Sequence, residues 1–188
     1  MRLPVLLALT TTIFVSCKDS EQSIIVTETR PLTLYDQKYP GDIHDRPPLE
    51  WRRIPSTRFR AVNFVAGEND TVEIFMGNSR GNIIANANRW LGQFGAEPKA
   101  SREDFPTVEI LGASSALIEA EGNYTPGMGA PDAESYALVG AIRATGDEVL
   151  TFKMVGPIQE VSKLREDFLT YCTSLTFHSP ASIDSPES

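Results

Sequence analysis

Hydrophobic positions recur every three to four residues over one central stretch, from Ser79 to Gly95. At roughly 100° per residue, Ile83, Ile84, Ala87, Trp90, Leu91 and Phe94 gather on one side, which predicts an amphipathic helix over residues 82–94. The opposite side carries Asn82, Asn86, Arg89 and Gln93, a stripe of amides with one guanidinium. Gly95 and Pro98 stop the helix, and Ser79 or Asn82 caps its start. A second helix follows Gly156 and Pro157. There Val161, Leu164, Phe168 and Cys172, with Leu175 beyond, share one apolar face, and proline suits the first helical position.

Between and around the helices the pattern is that of strands. Residues 50–54 predict a short opening strand ended by Pro55; residues 58–65 and 72–76 predict longer ones, with a hairpin turn at 67–70. Residues 105–111 and 116–121 predict two more across Gly112, followed by a glycine- and proline-rich loop at 122–134. The clearest hairpin joins residues 136–144 to 148–155 through Thr145, Gly146 and Asp147. In its second arm Leu150, Phe152 and Met154 alternate with Thr151 and Lys153. Residues 175–177 are expected to close the sheet. Runs such as Ala61 to Val65 and Leu138 to Ile142 lack strict alternation, as strands covered on both faces do. The fold class expected is α+β, a mostly antiparallel sheet flanked by helices.

The amino terminus reads differently. Arg2 precedes an apolar run from Leu3 to Val15, too short to span a bilayer, and the run closes on Phe14, Val15, Ser16 and Cys17. This ending resembles a bacterial lipobox, in which a small residue precedes the cysteine that receives the lipid. The resemblance implies cleavage between Ser16 and Cys17 and lipid attachment at Cys17, with an ordinary cleaved signal as the alternative. Lys18 in place of aspartate implies the outer membrane, facing the periplasm. Domain boundaries follow: a signal peptide at 1–16, the lipidated cysteine and a flexible tether at 17–48, a globular domain at 49–177 and a disordered tail at 178–188. Cys17 and Cys172 are the two cysteines, so lipidation would leave Cys172 as a lone thiol on a helix face.

With 188 residues and a formal charge of −8, the chain supports one domain with a real core and repels phosphate backbones, so no nucleic-acid partner is expected. Hydrolase chemistry finds little support. The two histidines, His44 and His178, fall in the predicted tether and tail. Scattered acids (Glu119, Glu121, Asp132, Glu134) match no calcium-loop spacing, and no metal or cofactor is expected. Gly77 to Gly81 lacks the spacing of a phosphate loop.

The order of hairpin, helix, hairpin and final helix is similar to the sandwich of the Mog1/PsbP-like families. The segment from Asn86 to Gln93, containing Asn88, Arg89 and Trp90, resembles one in uncharacterised bacterial envelope proteins. So does the stretch from Thr151 to Pro157 with a helix ending near Ser174. Leu91 stands where a basic residue is common in those proteins. PsbP-like proteins are extrinsic subunits that help assemble or stabilise membrane complexes, and Mog1 binds a small GTPase. The resemblance therefore implies a non-catalytic binding or accessory role toward an envelope protein, on a Mog1/PsbP-like α/β/α sandwich. The candidate binding surface is Asn86, Arg89, Trp90 and Gln93, against the structural alternative that these residues tie down the long loop. A rival function is a small-molecule or lipid carrier with a pocket between sheet and helix, lined by Trp90 and Phe94. An enzyme of unrecognised type is the third reading.

Overall fold

The computed structural model describes residues 43–127 and 129–177. Nine strands and two α-helices alternate along them: β1 (Ile43–His44), β2 (Arg52–Arg53), β3 (Val62–Ala66), β4 (Val72–Arg80), α1 (Ile83–Gly92), β5 (Thr107–Ile110), β6 (Ala113–Tyr124), β7 (Ala133–Thr145), β8 (Glu148–Pro157), α2 (Ile158–Ser174) and β9 (Thr176–Phe177). Seven of the strands form one sheet in the order β2-β3-β4-β8-β7-β6-β5, with every pair antiparallel. This is the α+β class expected, an antiparallel sheet between helical layers.

The register explains why the middle strands read as unbroken apolar runs. Phe75 pairs with Lys153 and Lys153 with Gly140, so side chains sort into two faces across the sheet. Phe64, Ile74, Met76, Phe152 and Met154 pack under α2, against Val161, Phe168, Tyr171 and Cys172. On the other face Ile118, Leu138, Ile142 and Val155 pack under α1, against Ala87, Trp90, Leu91 and Phe94. Both faces are buried, which removes the polar half of the usual alternation.

Three boundaries differ from the expectation. The strand predicted from Arg58 starts only at Val62. Before it, residues 57–60 fold into a turn closed by Thr57 N–H donating to the Arg60 carbonyl at 2.8 Å. That turn crosses Gly77 so closely that a Cβ there would lie 2.2 Å from the Phe59 carbonyl oxygen. Secondly, residues 175–177 do not extend the main sheet; β9 pairs with β1 in a separate two-stranded ladder. Thirdly, the chain is folded from Ile43, inside the stretch assigned to the tether. Asp45 accepts hydrogen bonds from the Tyr171 hydroxyl and from Arg53 Nη2, each at 3.0 Å. Both the ladder and this buried carboxylate depend on contacts more than a hundred residues apart, which local patterning does not reveal. The remainder of the predicted tether, Cys17 and the predicted tail lie outside the described residues.

Candidate functional site

The polar stripe of α1 is an anchoring device over much of its length. Asn82 caps the helix, its Oδ1 accepting from Ala85 N–H at 2.8 Å. Asn86 is 2% exposed; its Nδ2 donates to the Arg80 and Asn82 carbonyls at 3.0 Å, and its Oδ1 accepts from Arg89 Nη2 at 2.8 Å. On a neighbouring position Asn88 exchanges two hydrogen bonds with the backbone of Lys99. Gln93 holds the long loop: its Nε2 donates to the Pro126 carbonyl at 3.0 Å, and its own carbonyl accepts from Thr125 N–H at 2.8 Å.

Trp90 is 4% exposed and lies flat against the sheet at Gly140, where a Cβ would sit 2.6 Å from Cζ3 of the indole. Phe94 stacks on Tyr124 at 4.9 Å, and Tyr124 on Tyr136 at 5.9 Å. The candidate surface is corrected accordingly. Asn86 and Trp90 are buried and present nothing to an outside partner, Gln93 is half-buried, and Arg89 stays exposed. Of the stripe read from the spacing, Asn82 and Gln93 cap the two ends of α1, Asn86 is buried and Arg89 is exposed. What the spacing lacked was that Asn86 bonds back to the β4–α1 turn and Gln93 to Thr125 and Pro126.

The carrier pocket expected around Trp90 and Phe94 is filled by the same stack. Two open grooves lie elsewhere. One of about 350 Å³ runs between α2 and the far ends of β6 and β7, past Glu119, Ile158 and Arg165; another of about 570 Å³ sits where α1 begins, beside the β7–β8 turn.

A residue not singled out as a site occupies the centre of the α1 side. Lys153 projects from β8 and is 3% exposed. Its Nζ donates to Gln93 Oε1 at 2.7 Å, lies 3.5 Å from the Tyr124 hydroxyl, and is 5.5 and 5.2 Å from the ring centroids of Trp90 and Tyr124. Burial pushes the ammonium down from its ordinary 10.5 to about 7, and the charges of Arg60 and Arg89 push the same way, while Glu73 opposes them. Arg60 covers the edge of this cluster, its guanidinium 4.1 Å from the Phe75 ring centroid and 2.9 Å from Glu73. Together these groups line a seam between α1, which rests on β6 and β7, and the 57–60 turn, which crosses β4. In the sequence Lys153 looked like the solvent-facing member of an alternating strand. The missed signal was positional: a lysine midway along a strand whose other face, and whose neighbours β4 and β7, are apolar. Cys172 is fully buried in the opposite core, and burial raises its thiol far above the usual range, which suits a packing residue and not a nucleophile.

No protein-family model matches the chain, and no curated protein matches it in sequence. Solved structures with a similar arrangement exist at low identity. A Bacteroides thetaiotaomicron protein is 15% identical, with a TM-score of 0.42 over 74% of this chain and 49% of that one, so this chain spans about half its length. LpqN, involved in cell envelope biogenesis of Mycobacterium tuberculosis, is 18% identical, with a TM-score of 0.45 over 75% of this chain and 87% of LpqN. The cyanobacterial PsbP of Synechocystis (CyanoP) is 10% identical, with a TM-score of 0.46 over 73% of this chain and 94% of CyanoP. At such identities and scores the likeness transfers no activity or partner.

Proposed function

We propose that the chain is a lipid-anchored module of a bacterial cell envelope, on the outer membrane and facing the periplasm, with a non-catalytic binding or accessory role. The observation that carries the anchor is the lipobox-like ending Phe14, Val15, Ser16 and Cys17 after the apolar run from Leu3. Cys172, the other cysteine, is fully buried in the core under α2 as a free thiol. Acylation at Cys17 with two or more chains would hold the protein stably at a bilayer. The partner is an envelope component met at the α1 side, where Arg89 is exposed.

Expression with labelled palmitate in a Gram-negative host tests the anchor. The expected product carries label and sediments with membranes, and Cys17→Ser loses both properties. A wild-type chain released unlabelled into the soluble periplasmic fraction refutes the anchor.

One observation favours a second reading, a carrier of small molecules. The Lys153 ammonium is buried with no carboxylate partner among the described residues, and its proton is loosened by that burial, as those of functional groups often are.

A further inference from the structure

The seam beside α1 is short of negative charge. Lys153 donates to two neutral oxygens, those of Gln93 and Tyr124, and among the described residues it has no ion pair. Three cations (Lys153, Arg60 and Arg89) face one anion, Glu73, which is already engaged by Arg60. Arg89 bonds to an amide oxygen, not to an acid. This happens in a chain with 25 acidic residues against 17 basic ones, so a random patch of its surface would be negative. A buried ammonium without a counter-ion is costly, and two guanidiniums nearby raise that cost. Such a group is stabilised by pairing with an acid or relieved by giving up its proton. Among the described residues Lys153 has no acid to pair with, only the Gln93 and Tyr124 oxygens and the rings of Trp90 and Tyr124.

The surroundings describe what would compensate it. Phe75 and Tyr124 are half-buried along the seam, and Phe59, 70% exposed, stands beside Arg60. The donors are side-chain cations, without the cradle of backbone N–H groups that phosphate sites use. We propose that the seam between α1 and the 57–60 turn binds a small amphipathic monocarboxylate, its carboxylate seated among Lys153, Arg60 and Arg89 and its apolar body along the aromatic rims. This rests on the second reading, a carrier of small molecules, with its site moved from the filled space at Trp90 and Phe94 to the seam beside it, and names the ligand class. Bound carboxylate supplies the missing counter-charge and holds the Lys153 proton in place. The Gln93 amide, bonded on one side to Lys153 and on the other to Pro126, links the occupied site to the loop above it.

The test titrates the purified full chain with sodium decanoate below its micelle concentration and, separately, with inorganic phosphate, at constant ionic strength. Tryptophan fluorescence follows binding, and the Lys153 side-chain NMR signal, assigned with Lys153→Met, follows its protonation. Decanoate is expected to bind saturably, with affinity falling about tenfold or more in both Lys153→Met and Arg60→Gln. It is also expected to raise the titration midpoint of Lys153 by about one pH unit or more. Three results overturn the proposal: no saturable decanoate binding, binding of phosphate alone, or decanoate binding untouched by either substitution. Should Lys153→Met fail to fold, Arg60→Gln, at a partly exposed position, carries the comparison. Anchoring and binding are read apart. An unlabelled, soluble chain that still takes decanoate refutes only the anchor, and a labelled chain that ignores decanoate refutes only the ligand.

Discussion

Lys153 shows how one residue's chemistry is set by which strand and which face it occupies. A lysine in an alternating strand is ordinarily wet; here Trp90 and Tyr124 close over it and its proton becomes labile. The pH dependence follows from the direction of the shift. With a folded pKa of about 7 against 10.5 for the free side chain, the unfolded chain binds the extra proton between those values. Stability therefore rises with pH across that window and levels off above it, and at lower pH the buried charge exacts its full cost. Lys153→Met is expected to flatten this slope and, in ligand-free protein near pH 6, to raise stability by about 1–4 kcal/mol. Urea unfolding from about pH 6 to 10 checks it; parallel curves for both proteins contradict the assignment. Asn86 is the opposite case. Its burial and three hydrogen bonds make it a fastener, so loss of partner binding in an Asn86 variant reports misfolding as readily as recognition.

At the scale of elements, α1 and the hairpin of β7 and β8 fit each other through an absence. Gly140 leaves room for the Trp90 indole, and an alanine there would bring Cβ to 2.6 Å from Trp90 Cζ3 and 2.9 Å from the Phe152 carbonyl oxygen. The second neighbour is backbone and cannot swing aside. Gly140→Ala is expected to destabilise by about 1–3 kcal/mol, outweighing the few tenths gained from restricting the unfolded chain. Gly92→Ala serves as the control. Nothing lies within 4 Å of its added Cβ, so it is expected to leave the melting temperature unchanged or raise it slightly. Equal losses at both positions would refute the packing account. The amphipathic period of α1 was legible because a 3.6-residue repeat is local. Its partner glycine was not, since the pairing of residue 90 with residue 140 depends on the sheet's register.

For the whole molecule, one sheet with two buried faces makes two separate cores, and the segment before β2 straps one of them. Trp51, Phe64 and Tyr171 meet edge to face at 5.2–5.8 Å, and the Tyr171 hydroxyl reaches Asp45 while Arg53 lies over Phe64 at 4.3 Å. Burial raises Asp45 above the usual carboxylate range against the opposing pull of the Tyr171 hydrogen bond. Tyr171→Phe leaves that buried oxygen with one fewer donor and is expected to cost about 1–3 kcal/mol. Hydrogen exchange should quicken selectively at residues 43–48 and 176–177, where β1 and β9 pair. Unchanged protection there would show that the strap is held by other contacts. With this strap in place, the folded domain includes Ile43 to Pro48, residues that composition alone assigned to the tether.

By itself the sequence determined the elements and their class: two amphipathic helices, hairpins at 67–70 and 145–147, and strands too apolar to have a wet side. These follow from turn chemistry and hydrophobic period, which act over a few residues. The lipobox-like ending at Cys17 is equally local. Tertiary structure alone decided that Asn86 and Gln93 bond to neighbouring backbone, that Cys172 is a buried packing residue, and that Lys153 is buried with no ion pair among the described residues. Burial and electrostatics are sums over neighbours distant in the chain, so they came into being only when register and packing brought those neighbours together.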